Sequence, residues 1–169
     1  MAIWTSRYSN KGLSDDKHYP VGISIGQPRF RLGYQLREQC YSLAPKGYML
    51  NMDIEAFKRA YYGKLEGIGK DRIISMVTKL DENARSEGKE LVLLCFEDVR
   101  VKSDWCHRTI FAEWWAENVG EIIEELPDPT PPKTKGKPKG DSKKPVKESA
   151  KEDSSCKQIS LFDCGMAGI

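Results

Sequence analysis

The feature that most constrains the fold is the apolar run Leu91–Phe96, with sequence LVLLCF. Charged pairs bound this run on both sides, Lys89–Glu90 before it and Glu97–Asp98 after it. A short, continuous apolar run between charged residues is typical of a strand buried on both faces, which is the usual centre of a parallel sheet. The run therefore predicts a domain built around one central parallel strand.

Other apolar segments predict the elements around this strand. Strands are predicted over residues 2–5 and 21–25, and a weaker one over 48–50. Helices are predicted from an N-cap at Asp53, from near Lys70 to before Gly88, and from near His107 to about Leu126. Strands that alternate with helices indicate one three-layer α/β domain over residues 1–126, with a mostly parallel sheet.

The charge balance changes after residue 126. Residues 1–126 carry a net charge of −1, and residues 127–169 carry +3. Seven lysines and the single acid Asp141 lie within residues 132–147, among prolines and glycines. Such a segment cannot bury enough apolar surface to offset the entropy of ordering it, so residues 127–156 are predicted to be a disordered linker. Its lysines either keep the chain soluble or attract a polyanion such as DNA.

Hydropathy and cysteine usage bear on the compartment. No apolar run approaches the roughly 20 residues that span a bilayer, and residues 1–4 lack the pattern of a signal peptide. The five cysteines are an odd number without the spacing of a disulfide framework, which favours free thiols. We therefore expect a cytoplasmic protein without a membrane partner.

The densest chemistry lies around the end of the central strand. Glu97 follows the strand, and Cys106, His107 and Arg108 open the final helix. A helix N-terminus favours anions and lowers the pKa of a nearby thiol. Glu97, Cys106 and His107 are therefore candidate catalytic residues, as acid, base or nucleophile.

Ligands of α/β domains gather at the carboxyl ends of the strands. This rule adds Ser6 and Arg7 from the first strand, Arg29 beyond the second, and Cys95 and Arg108 around the central one as candidate ligand-binding residues. These residues are expected to bind a nucleotide, a base or another anionic ligand. The sequence leaves any cofactor open.

Purely structural roles remain open for the same residues. Cys95 and Cys106 are then small apolar packing residues, and Arg108 pairs with Glu97. A metal site formed by the cysteines, Glu97 and His107 is a third alternative. It is disfavoured because adjacent Cys and His residues on a helix rarely point at one ion, and no Cys-x-x-Cys pair is present; no metal ligand is predicted.

Five segments resemble the bacterial and phage family called domain of unknown function 488: Ile3–Tyr8 (IWTSRY), Val21–Ser24 (VGIS), Gly26–Phe30 (GQPRF), Leu93–Glu97 (LLCFE) and Cys106–Arg108 (CHR). The resemblance covers about residues 1–126. It implies a compact α/β domain whose shared polar residues converge on one pocket, here Arg7, Arg29, Cys95, Glu97, Cys106, His107 and Arg108. Thr5–Tyr8 stand where many members carry a Gly-His-Ser type of turn, which indicates a divergent subfamily.

A second resemblance lies in the tail, residues 157–169. Gln158–Phe162 (QISLF) is similar to the pentapeptide with which bacterial proteins bind the DNA polymerase sliding clamp. Leu161 and Phe162 would fill an apolar pocket, while Gln158 bonds polar groups at its rim and Ile159 adds apolar contact. A chance match, or packing of this peptide on the domain, is the alternative.

These observations lead to one main hypothesis and two alternatives. The main hypothesis is a bacterial or phage protein in which the tail recruits the α/β domain to the clamp on DNA, where the domain binds an anionic ligand, with or without acting on it. One alternative is a small-molecule enzyme that uses Cys106 as its nucleophile. The other is a non-enzymatic interaction protein that occupies the clamp.

Overall fold

The computed structural model describes residues 3–101 and 104–132. The strands are β1 (Ile3–Arg7), β2 (His18–Gly22), β3 (Glu38–Gln39), β4 (Glu90–Cys95) and β5 (Glu124–Glu125). The α-helices are α1 (Ile54–Ile68), α2 (Lys70–Ser86) and α3 (His107–Val119), and two 3-10 helices cover Lys11–Asp15 and Gly47–Asn51.

The five strands form one sheet in the order β3-β2-β4-β1-β5. All four strand pairings are parallel. The apolar strand β4 lies at the centre, where Leu93 is the partner of Thr5 in β1 and of Val21 in β2. The prediction of an α/β domain around a central parallel strand is confirmed.

The two faces of the sheet are covered by different kinds of chain. Leu91 and Leu93 pack into the core cluster that holds the buried side chains of α1, α2 and α3. Val92 and Leu94 point to the opposite face, because side chains alternate along a strand. There they pack with Leu13 of the first 3-10 helix and with residues of the 32–36 segment. The third layer is therefore a 3-10 helix and irregular chain rather than α-helices.

Local capping explains where α1 and α2 begin. The Asp53 carboxylate accepts a hydrogen bond from the backbone N–H of Ala56 at 2.9 Å, as predicted for an N-cap. Gly69 separates α1 from α2 with a φ of 98°. A side chain rarely adopts this backbone conformation, so glycine permits the turn between the two helices.

Several predicted boundaries are wrong. Residues 48–50 lie in a 3-10 helix rather than a strand, and the second strand covers 18–22 instead of 21–25. The final helix ends at Val119, not near Leu126, because Gly120 adopts a left-handed conformation with a φ of 80°. The chain then returns to the sheet as β5, where the backbone N–H of Leu126 donates to the carbonyl of Thr5.

The contacts of β1 continue beyond the domain boundary predicted at residue 126. Arg7 donates to the Asp128 carboxylate at 2.6 Å and to the Thr130 hydroxyl at 2.6 Å. Residues 133–169 lie outside the described residues, and with them most of the predicted linker and the whole clamp-binding peptide. Within the described ranges, no helix combines the length and the hydropathy that a membrane span needs.

Candidate functional site

The topology creates a crevice at the carboxyl ends of β2 and β4. After β2 the chain continues to β3 at one edge of the sheet, whereas after β4 it continues through α3 to β5 at the opposite edge. Ligands of open parallel sheets bind at such a point of divergence. The backbone N–H of Ile23, just after β2, still bonds the carbonyl of Leu94, so the two strand ends are held side by side.

Two thiols and a carboxylate meet at this crevice. Cys95 is the last residue of β4, and Cys106 is the N-cap residue of α3. Oε2 of Glu97 lies 3.1 Å from Sγ of Cys95 and 2.9 Å from Sγ of Cys106. The loop after β4 thus brings Cys106 back to the strand end, and both thiols are buried.

His107 completes the cluster with a defined ring orientation. Its Nε2 lies 2.8 Å from the carbonyl oxygen of Ile23. A carbonyl only accepts, so Nε2 carries a proton and Nδ1 is the atom directed at the sulfurs, 3.5 Å from Cys95 and 3.7 Å from Cys106. The adjacent Cys106 and His107 therefore direct their donor atoms at one location, contrary to the expectation for a Cys-His pair at the start of a helix.

The charges of the cluster depend on one another. Burial alone would raise the pKa of the Cys106 thiol, but hydrogen bonds with Cys95 and His107 and the positive charge of Arg108 hold it well below its ordinary value. The hydrogen bond to Cys106 and burial raise the pKa of Cys95. Burial and the adjacent Cys106 raise that of Glu97. The cluster therefore favours a negative charge on Cys106 over negative charges on Cys95 and Glu97.

A hollow formed by two cavities gives access to these groups, and we call it the thiol hollow. One cavity has a volume of about 150 Å³ and is lined by Pro45, Leu50, Phe57, Glu97, Trp105, Cys106 and His107. The other has about 200 Å³ and is lined by Ser24, Ile25, Gly26, Pro45, Leu50, Cys95, Phe96, Glu97 and His107. A larger cavity of about 380 Å³ lies at Tyr8, Lys11 and Arg31, and neither a thiol nor a histidine lines it.

Arg108 stands beside the site but is fully engaged. Its side chain is 0% exposed, and two of its nitrogens bond the Glu125 carboxylate at 3.1 and 2.8 Å. Its Nη1 donates to the backbone carbonyl of Glu97 at 2.9 Å. The predicted structural partner, the Glu97 carboxylate, is replaced by Glu125. Arg108 therefore orders the loop after β4 and ties it to β5.

The remaining predicted ligand-binding residues lie apart from the thiols. Arg7 is buried between Asp98 and Asp128, at 3.0 and 2.6 Å. The Ser6 hydroxyl accepts a hydrogen bond from the Asn10 side chain at 2.9 Å. Arg29 is exposed and is not among the residues that line the thiol hollow. The structure thus brings together four of the predicted site residues, Cys95, Glu97, Cys106 and His107.

Sequence reasoning missed the residues that shape the hollow. Leu50 lies in the second 3-10 helix, where residues 48–50 were predicted as a weak strand, and Pro45 lies in the chain just before this helix. Trp105 packs against Phe57 of α1 with ring centroids 4.8 Å apart. The position of Trp105 next to Cys106 was a usable signal, whereas nothing local in the sequence places residues 45–50 beside the strand ends.

The fold and the cluster define an α/β domain with two thiols, an imidazole and a carboxylate at the crevice of a parallel sheet. Comparisons of the chain with protein-family models, with curated proteins and with solved structures find no match in any of the three. The similarity to the domain of unknown function 488 family stays a prediction that rests on the motifs quoted above.

Proposed function

We propose that Cys95, Cys106 and His107 bind a thiophilic divalent cation, with Zn²⁺ the best match, and that this cation is the reactive centre of an enzyme. The observation that carries the proposal is the mutual position of the three donor atoms, which all lie within 4.8 Å of one another. A tetrahedral zinc ion, with bonds of about 2.3 Å to sulfur and 2.0 Å to nitrogen, holds these atoms about 3.6 Å apart. The distances from Nδ1 of His107 to the two sulfurs, 3.5 and 3.7 Å, fit this geometry.

The surroundings of the imidazole also support a metal site. A ligating histidine usually donates its second ring N–H to a carbonyl or a carboxylate, which fixes the ring and directs the other nitrogen at the metal. His107 makes this bond to the Ile23 carbonyl, from the neighbouring strand end. The crowding of two thiols and the Glu97 carboxylate within 3.1 Å is the arrangement that a cation of double positive charge neutralises.

Access from solvent favours a reactive site over a structural one. Structural zinc sites are closed by four protein ligands, whereas catalytic sites use three and leave the fourth position to water or substrate. Here all three donors line the thiol hollow, and so does Glu97. The Glu97 carboxylate lies outside the group of three donors but contacts both sulfurs, where it is placed to accept a proton from metal-bound water.

The test is metal binding by the full-length chain. We expect one Zn²⁺ per chain in elemental analysis. We also expect Co²⁺ substitution to give a sulfur-to-cobalt charge-transfer band with the strong d–d bands of a tetrahedral site. Cys95→Ser, Cys106→Ser and His107→Ala should each abolish stoichiometric binding, because each removes one of three donors.

Two matched controls separate this site from the chain's other thiols. Cys40→Ser changes a half-buried cysteine whose sulfur contacts Met76, and the double variant Cys156→Ser, Cys164→Ser changes the two tail cysteines. Both should retain the cobalt bands. A wild-type chain that binds neither Zn²⁺ nor Co²⁺ contradicts the proposal. In that case rapid alkylation of Cys106 at neutral pH would support the thiol nucleophile instead.

A further inference from the structure

The walls of the thiol hollow limit what can bind beside the cation. Apart from the donor atoms and Glu97, the lining is mostly apolar, with Pro45, Leu50, Phe57 and Trp105 in one cavity and Ile25, Phe96 and Leu50 in the other. The two cavities, about 150 and 200 Å³, together reach only the lower end of the roughly 300–1,000 Å³ of sites for drug-sized ligands. The occupant is therefore a small molecule with one ring or a short apolar body.

The charge of the hollow argues against an anionic occupant. Among residues 3–101 and 104–132, no lysine or arginine lines either cavity. Two basic residues outside the lining have partners of their own: Arg108 bonds Glu125 and the Glu97 carbonyl, and Lys64 bonds the carbonyls of Ser42 and Ala44. Two thiolate ligands would balance the two charges of the cation. A phosphate or carboxylate group would therefore enter a mostly apolar hollow in which the described residues supply no basic side chain to pair with it.

We propose, on the basis of the proposed metal centre, that the thiol hollow binds a small uncharged molecule with an apolar ring or chain and one heteroatom lone pair that reaches the cation. The heteroatom takes the fourth coordination position, and the apolar part lies against Leu50 and Trp105. This places nucleotides and other phosphorylated compounds outside the substrate class, in contrast to the ligand class expected from the sequence.

The experiment uses the full-length Co²⁺ protein and three pyrazoles that differ only at carbon 4. Pyrazole and 4-methylpyrazole are neutral nitrogen donors, and pyrazole-4-carboxylate carries a negative charge in place of the methyl group. We expect both neutral compounds to shift the d–d bands. The methyl group should tighten binding about fourfold, the value for burying one such group. The carboxylate should bind weakest of the three.

Two truncations to alanine, Leu50→Ala and Ile122→Ala, test the apolar wall of the hollow. Leu50 is 61% exposed and Ile122 is 78% exposed, so truncation of either to alanine leaves the core intact. Leu50→Ala should remove most of the fourfold preference for the methyl compound, because Leu50 lines both cavities. Ile122 lies in the segment before β5 and is not among the residues that line either cavity. Ile122→Ala should therefore leave the preference for the methyl compound unchanged.

The outcomes separate this inference from the function on which it rests. A chain without cobalt bands overturns both. Cobalt bands that no neutral pyrazole shifts, or that pyrazole-4-carboxylate or inorganic phosphate shifts more strongly than 4-methylpyrazole does, overturn the inference and leave the metal centre standing. An equal loss of the methyl preference in Leu50→Ala and Ile122→Ala also contradicts it.

Discussion

At the scale of single residues, side chains that line the thiol hollow are distinct from side chains that are held in internal ion pairs. Cys95, Cys106 and His107 direct their donor atoms at one point and line a hollow. Arg7 and Arg108 are buried in carboxylate pairs and are not among the residues that line that hollow. Sequence reasoning assigned both kinds to one pocket, because an arginine at a strand end has the same sequence signature whether it binds a ligand or an internal carboxylate.

The pairing of Arg7 predicts how stability depends on pH. Asp98 accepts hydrogen bonds from Arg100 and faces Arg7, and these contacts hold its pKa well below its ordinary value. The unfolded pKa is about 3.9. The stabilisation is therefore complete above that pH and is lost as the pH falls through it toward the lower folded pKa. Asp98→Asn should flatten the decrease in the free energy of unfolding between about pH 5 and pH 3, measured by urea denaturation with a chelator present.

Glu66→Gln is the matched control for this measurement. Glu66 is an exposed carboxylate on α1, and its amide variant should keep the wild-type pH dependence. Parallel curves for wild type and Asp98→Asn would show that the ion pairs of Asp98 with Arg100 and Arg7 do not govern acid stability.

At the scale of elements, backbone conformation decides where α3 ends. Gly120 has a φ of 80° and no atom within 4 Å of the position of an added Cβ, so an alanine there meets only backbone strain. Gly63 lies within α1 and has equally open surroundings. We expect Gly120→Ala to lower the free energy of unfolding by about 1 kcal/mol, and Gly63→Ala to raise it by roughly 0.5–1 kcal/mol.

The two glycine variants control each other, because each adds one methyl group at an open position. Denaturant unfolding of both chains checks the prediction. Two changes of the same sign would mean that the conformation of Gly120 does not define the end of α3.

The local sequence pattern identifies some helices and strands of this domain and not others. The helices α1 and α2 are long and have periodic apolar residues, and the strand β4 is almost continuously apolar. Their own sequences therefore identify these elements. The strands β3 and β5 have two residues each, too few to show any period, and they exist because β2 and β1 offer open edges. Ile122 and Ile123 continue the apolar pattern of α3, so the sequence placed the end of this helix near Leu126 instead of at Val119.

The candidate site likewise has features that the local sequence predicts and features that depend on long-range contacts. The rule that ligands lie at strand ends selected Cys95 and Glu97, and the helix N-terminus selected Cys106 and His107. The family resemblance implied that these residues converge on one pocket. The position of Nδ1 of His107 beside both sulfurs was not predictable, because it depends on the return of the 97–105 loop and on the bond from His107 to the Ile23 carbonyl. Both are long-range features that no local pattern records.

At the scale of the whole molecule, the domain and the tail carry separate predictions. The proposed metal centre lies entirely within the described residues, whereas Gln158–Phe162 lies outside them. Variants in one part should leave the other unaffected, so each activity can be measured in the full-length chain with the other as an internal control.

Clamp binding by the tail is the last prediction. If Gln158–Phe162 binds a bacterial sliding clamp, Leu161 and Phe162 supply its apolar contacts, and such anchors carry most of the affinity of a short peptide. Leu161→Ala combined with Phe162→Ala should then weaken clamp binding roughly tenfold or more in a calorimetric titration, with unchanged cobalt bands. Met166→Ala, an apolar truncation outside the motif, should bind like wild type. Equal affinity of the double variant and wild type would exclude the pentapeptide as the anchor. Loss of the cobalt bands in the double variant would contradict the independence of the two parts.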